Sequence, residues 1–165
     1  MNKLGLALLC ASVGFVACED EGSDNIEITY VQGGCYGACP MFSIQVHNDR
    51  SIQYVGLRYV HVVDTVLDRI TNQQFNDLIV AFQQCHYFNL KDEYTGVCVT
   101  DMSSATTSLR LGSRYKSVRH YFGDCSAPDD LRRLYHRINE IMDTKQWVGR
   151  EVLLVFPENL NMSGM

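Results

Sequence analysis

The chain has 165 residues, with 14 Lys and Arg against 19 Asp and Glu, a formal net charge of −5. An acidic balance with no basic stripe excludes a nucleic-acid binder and a protein held on anionic lipid by charge alone. The length suits one domain with its own core, and no internal repeat or low-complexity tract interrupts it.

The first residues, "MNKLGLALLCASVGFVAC", carry one charge, Lys3, followed by an apolar stretch from Leu4 to Val16. This has the build of a secretory signal and is too short to span a membrane. Its end, Phe15-Val16-Ala17-Cys18, resembles the lipobox of bacterial lipoproteins. That resemblance implies acylation of Cys18, which becomes the mature N-terminus; Cys10 fits less well because Leu9 precedes it. Residues 1–17 are therefore expected to be a lipoprotein-type signal peptide. Residues 18–25, containing "EDEGSDN", are expected to form an acidic tether leading away from a membrane. Without residues 1–17, 148 residues remain, with 13 Lys and Arg against 19 Asp and Glu, a net of −6. The expected location is the bacterial cell envelope, lipid-anchored, on the periplasmic or extracellular face.

Residues 26–31, "IEITYV", alternate Ile26, Ile28 and Tyr30 as a first strand. "MFSIQVH" (41–47) alternates again, Asn48-Asp49 turns the chain, and "SIQYVG" (51–56) returns. "LRYVHVVDTVL" (57–67) is a further β-branched run, read as a third strand paired with the second. Thr71 and Gln74 form a capping box that opens a helix. Phe75, Leu78, Ile79, Phe82 and Cys85 line one apolar stripe of it, which makes Cys85 a buried core thiol.

A loop, "TGVCVTDMSSA", leads to a second hairpin, "TTSLRL" and "YKSVRHYF", joined around Gly112-Ser113-Arg114. Pro128 then starts a second helix whose apolar face is Leu131, Leu134, Tyr135, Ile138, Ile141 and Met142. Arg132, Arg133, His136 and Arg137 are read as its solvated side. The order β-β-β-α-β-β-α implies an α+β fold: a largely antiparallel sheet built from hairpins, with two helices on one face. A single domain is expected over 26–147, with a C-terminal tail, 148–165, as a possible edge strand containing "EVLLVFP".

Seven cysteines in an exported chain point to disulfides. Setting aside Cys10 and Cys18 leaves Cys35, Cys39, Cys85, Cys98 and Cys125, an odd number, with Cys85 the expected free thiol. Cys98 and Cys125 fall near each other just beyond the open end of the second hairpin. Cys35–Cys39 with Cys98–Cys125 is the favoured connectivity, and a cross-link between the two pairs stays open. In "GGCYGACP" (33–40), glycines allow a tight loop with positive φ, and Pro40 sets the entry to a strand. The motif is read as a structural staple. The alternative is a copper-binding or thiol-redox site using Cys35 and Cys39, with His47 or His61 as a third ligand. Cys-x-x-x-Cys-Pro is similar to the Sco-type copper chaperones, but there the motif leads into a helix, and here a strand follows.

The stretch from Gly34 to Ile44, followed by Asn48 to Gly56, resembles an uncharacterised bacterial family found in lipoproteins and other exported proteins. That family opens with Cys-aromatic-Gly-x-Cys-Pro, a strand, Asp-Gly and a second strand. "FQQCHYFNLKDEY", Thr100-Asp101 and "YFGDCSAPDDLRRLYHRI" extend the resemblance over residues 28 to 142. Arg50-Ser51 departs from the family's Asp-Gly. The resemblance implies a domain and no reaction.

No nucleophile-elbow, zinc-protease, dinucleotide or phosphate-loop pattern occurs. Histidines 47, 61, 86, 120 and 136 show no ligand spacing; His61 and His120 are both read as strand residues, and whether they meet across the sheet is not set by the sequence. Asp101 is the acid to watch, with an N-cap or Asx-turn role expected. The reading favours a non-enzyme: a binding or structural envelope module without cofactor (copper in the alternative). Its partners would be the membrane, through the lipid anchor, and an envelope protein or ligand, with no nucleic acid.

Overall fold

The computed structural model describes residues 25–149. The expected signal peptide, Cys18, nearly all of the tether and the tail beyond Gly149 lie outside these residues. The elements are β1 (Ile26–Gln32), β2 (Met41–His47), β3 (Ser51–Arg58), β4 (Thr65–Arg69), α1 (Asn72–Gln84), β5 (Glu93–Tyr94), β6 (Ser104–Leu111), β7 (Arg114–Tyr121), α2 (Asp129–Ile141) and α3 (Lys145–Val148), with a 3-10 turn at Tyr87–Asn89. The strands form one seven-stranded sheet in the order β4-β3-β2-β1-β6-β7-β5. Every pairing is antiparallel except β5 with β7.

The fold is thus α+β with a largely antiparallel sheet, but the element order differs from the expected one at three places. Residues 57–67 do not continue as one strand. The chain leaves β3 after Arg58, with Tyr59 in the left-handed region at φ 56, and β4 folds back onto β3. Tertiary contacts drive the break. The backbone N–H groups of His61 and Val62 donate to the carbonyls of Val148 and Trp147, and Gly56 lies so close to this excursion that a Cβ would sit 1.9 Å from the Val62 carbonyl. Two-residue β5 and four-residue α3 are the other additions; both are too short to leave a periodic signal.

Alternation places Ile28, Tyr30, Phe42, Ile44, Val46, Ile52, Tyr54, Ala105, Leu109 and Val118 on one face of the sheet, where they form a single core with the stripes of α1 and α2. Thr71 caps α1 as a capping box with Gln74, and Gln74 also donates to the Ile141 carbonyl at the end of α2. Trp147 of α3 stacks on Tyr54 at 4.9 Å, with 24° between the rings. The opposite face carries the alternate residues, among them Thr29, Gln45, Gln53, Ser108 and Ser117, as expected of an antiparallel sheet with one solvated side. Burial pushes the Cys85 thiol up to about 12, which leaves it protonated and inert as a nucleophile.

The hairpin turns also differ in detail. β6 and β7 pair Leu111 with Arg114, so the loop is the two residues Gly112-Ser113, and Gly112 takes φ 57. In the β2–β3 turn Arg50 adopts φ 66, a left-handed conformation that favours glycine. Its N–H donates to the His47 carbonyl at 2.8 Å, and its guanidinium bonds Asn72.

Candidate functional site

Strand direction sorts the loops to two ends of the sheet. At one end lie the start of β1, the β2–β3 turn and the β6–β7 turn. The other end gathers residues 33–40 after β1 and the segment before β6, with the residues that follow β7. Both cysteine pairs are at this second end. Cys35 bonds Cys39, with Cα atoms 5.6 Å apart, and Cys98 bonds Cys125, with Cα atoms 6.1 Å apart. The cross-linked alternative between the two pairs does not form.

The first loop is held by its backbone. The Gly33 N–H donates to the Ser104 carbonyl at 2.7 Å, and a Cβ on Gly33 would lie 2.5 Å from Ser104 Oγ. Glycine is needed there for close approach; among the three loop glycines only Gly37, at φ 152, has a positive φ. The second loop hangs on β7. The Cys98 and Val99 N–H groups donate to the Gly123 carbonyl, and the Tyr121 hydroxyl donates to the Val99 carbonyl at 2.9 Å while accepting from the Met102 N–H. The two loops touch where the Tyr36 N–H donates to the Asp101 carbonyl at 3.4 Å. Asp101 sits in the left-handed region at φ 66, and its carboxylate accepts from the Thr100 hydroxyl. Its linking role is made by the backbone; it caps no helix.

Asp124 is the hinge of this assembly. One carboxylate oxygen accepts from the Gly96 N–H at 2.7 Å and the other from the Ser126 N–H at 2.7 Å, so the side chain ties together the segments flanking Cys98 and Cys125. Burial alone would raise its pKa; hydrogen bonds from Ser126 and Gly96 outweigh that and hold it below the usual carboxylate range. Behind it His120 is fully buried, stacked on Tyr135 with centroids 5.6 Å apart and in edge contact with Phe122. Burial, then the charge of Arg132, pushes His120 down to about 4, and Asp124 opposes that shift. Arg132, expected on the solvated side of α2, is instead buried, with contacts to the Asp124 carbonyl and the Asp129 carboxylate. A polar chain anchors the first loop to α2: Asn139 donates to the Tyr30 hydroxyl, Tyr30 to Gln32, and Gln32 to Ser103 Oγ at 3.1 Å.

Among polar residues such as Thr95, Thr100, Asp101 and Ser126, this end presents one aromatic and one aliphatic side chain outward. Tyr36, at the tip of the first loop, is 89 % exposed, and Val97, beside Cys98, is 67 % exposed. A disulfide tethers the backbone beside each of them, which lowers the cost of ordering these loops when something binds. Each anchor was visible as a residue type beside a cysteine, but its exposure was not. Gln32 gave no sequence signal, because its partner Ser103 is 71 positions away.

Cys35 and Cys39 share a disulfide, and His47 lies at the opposite end of β2, six residues and roughly 20 Å along the strand. The three groups of the metal alternative are therefore not brought together. Among the described residues no cluster of three or more His, Cys, Asp or Glu is spaced to hold a metal ion. His61 and His120 do not meet either: His61 is in the β3–β4 excursion, and β2, β1 and β6 separate β3 from β7. A cleft of about 250 Å³ opens at the other end of the molecule, beside the β6–β7 turn.

The sequence pattern of a domain of unknown function, DUF6438, matches residues 26–142, more than half of the chain. No curated protein matches the chain.

Proposed function

The chain belongs to the DUF6438 family of domains of unknown function, and from that premise we propose that it is a non-catalytic binding module of the bacterial envelope, anchored through acylated Cys18 and recognising a partner with its disulfide-tied loops. The observation that carries this reading is the direction of β1. The strand begins where the N-terminal segment enters and ends at Gly33, where the first disulfide loop starts. A lipid anchor upstream of Asn25 would thus hold one end of the sheet toward the membrane. The loops with Tyr36 and Val97 would then project the length of a seven-residue strand away from it, about 23 Å. Rigid loops carrying an exposed tyrosine match what interfaces use as anchors, because tyrosine offers large contact area at low entropic cost.

Two measurements test it. Mass spectrometry of the mature chain, with a Cys18→Ser variant fractionated alongside, should show a diacylated Cys18 in the membrane fraction and a variant that leaves it. A photo-crosslinking amino acid at position 36, in whole cells, should yield discrete adducts that the same probe at Ser113, on the opposite end, does not. Equal adducts at both positions would refute the loop end as the recognition surface. Stoichiometric Cu(I) binding after reduction of Cys35 and Cys39 would instead favour the metal reading.

A further inference from the structure

The cleft beside the β6–β7 turn lies at the opposite end from the disulfide loops and is independent of them. Phe82 of α1 and Leu109 and Leu111 of β6 give it an apolar floor. Phe88 of the 3-10 turn and Arg114, the first residue of β7, form its wall, and the Arg114 guanidinium carbon lies over the Phe88 ring, 3.9 Å from its centroid. Stacking of this kind orients the fork of N–H donors without consuming them. Among the described residues Arg114 makes no ion pair, as is also true of Arg50, Arg58 and Arg119, whereas Arg69, Arg110, Lys116, Arg132, Arg133 and Arg137 have carboxylate partners. At the rim His86 adopts φ 49, a left-handed conformation that a residue with a Cβ enters at a cost; the chain turns there from α1 into the segment that carries Phe88.

A floor of largely buried apolar side chains, polar lining from Gln83, His86 and Asn89, and one guanidinium at the edge together have the composition of a small-ligand site. The volume, about 250 Å³, exceeds the roughly 150 Å³ that suffices for benzene. One planar fork matches one carboxylate better than a multiply charged phosphate, for which a single cation is too little. We propose that this cleft binds a small monocarboxylate with an apolar body the size of one ring or a short acyl chain. The body lies on Phe82, Leu109 and Leu111, and the carboxylate accepts from Arg114.

Phenylacetate is a suitable probe and phenylacetamide its neutral counterpart, both titrated against the mature full chain by ¹H–¹⁵N NMR. The expected result is saturable shifts confined to residues 82–89 and 109–114, with a Kd in the millimolar range. Phenylacetamide should bind about tenfold more weakly, and Arg114→Gln should weaken phenylacetate by about the same factor while leaving phenylacetamide unchanged. Arg114→Lys, which keeps the charge and loses the fork, should fall between the two, and Arg119→Gln should bind like the unaltered chain. Equal affinity for the acid and the amide, or no saturable shift in the unaltered protein, overturns the proposal. Binding that appears only after Glu19, Asp20 and Glu21 are replaced by serine also overturns it, in favour of the chain's own acidic segment as the occupant.

Discussion

Replacing Cys98 and Cys125 together by serine isolates the contribution of one staple, because both residues are exposed and their loss opens no buried cavity. The sequence separation of 27 means that the bridge closes a loop of 28 residues. In the chain-entropy treatment the unfolded chain regains about 12 cal/mol/K when that loop opens, or about 3.6 kcal/mol at 25 °C. The Cys35–Cys39 bridge has a separation of 4 and closes five residues, and the same treatment gives about 2 kcal/mol. The difference, about 1.5 kcal/mol, is the diagnostic quantity, since whatever the two bridges have in common cancels in it. For a domain of this size each kcal/mol moves Tm by roughly 3–5 °C, so the expected losses are about 11–18 °C and about 6–10 °C. Urea unfolding of both double variants, followed by the fluorescence of buried Trp147 and by circular dichroism, measures the free energies directly. Equal losses, or a larger loss for the Cys35/Cys39 pair, would refute loop entropy as the main source of the stabilisation. Native-state contacts of the first loop, such as Tyr36 with Asp101, would then have to carry the excess.

Three further outcomes follow from the same geometry. His120 is pushed down to about 4 from an unfolded value of about 6.5, so its contribution is complete above pH 6.5 and is lost as the pH falls toward 4. Denaturant titrations should show stability dropping by about 2–3 kcal/mol between pH 7 and 4.5, and His120→Gln, which cannot titrate, should flatten that slope; an unchanged slope would remove His120 as its source. Cys85 should resist N-ethylmaleimide at pH 8 in the folded protein and react within minutes in denaturant, and rapid labelling of the native chain would contradict its burial. Arg50→Gly should raise stability by about 0.5–1 kcal/mol in urea, because φ 66 suits glycine and the side chain's bond to Asn72 is exposed. A net loss would mean that this bond outweighs the backbone strain.

Much of the architecture was legible locally. The alternation in residues 41–47 and 51–56, the capping box at Thr71 and the stripe from Phe75 to Cys85 each record a repeating environment, so each predicts its element without reference to the rest of the chain. The proximity of Cys98 to Cys125 was legible for a related reason: a hairpin register extends linearly, and Leu111 opposite Arg114 carries the ladder back toward both cysteines. Resemblance to an uncharacterised family over residues 28 to 142 agrees with the DUF6438 match, which by itself says nothing of the cysteine motif or of a lipid anchor.

Other features depend on contacts between distant segments and left no local trace. The run 57–67 has the composition of one strand, and it breaks because Trp147 and Val148, on the far side of the sequence, capture Val62 and His61. Arg132 has the helical spacing of a solvated residue, yet the Asp124 loop folds over it. His47 and Cys39 are near in sequence, but a strand holds its ends apart, which is why they do not share a site. The sequence by itself determined the longer strands, the two long helices, the cap at Thr71 and the identity of the buried thiol, since these follow from the periodicity and chemistry of neighbouring residues. Only the tertiary structure decided that both disulfides tie one end of the sheet, that Tyr36 stands exposed there, and that Arg114 lies over Phe88 beside an apolar cleft at the other. Those relations join backbone segments whose meeting is fixed by packing, and packing is a property of the whole chain.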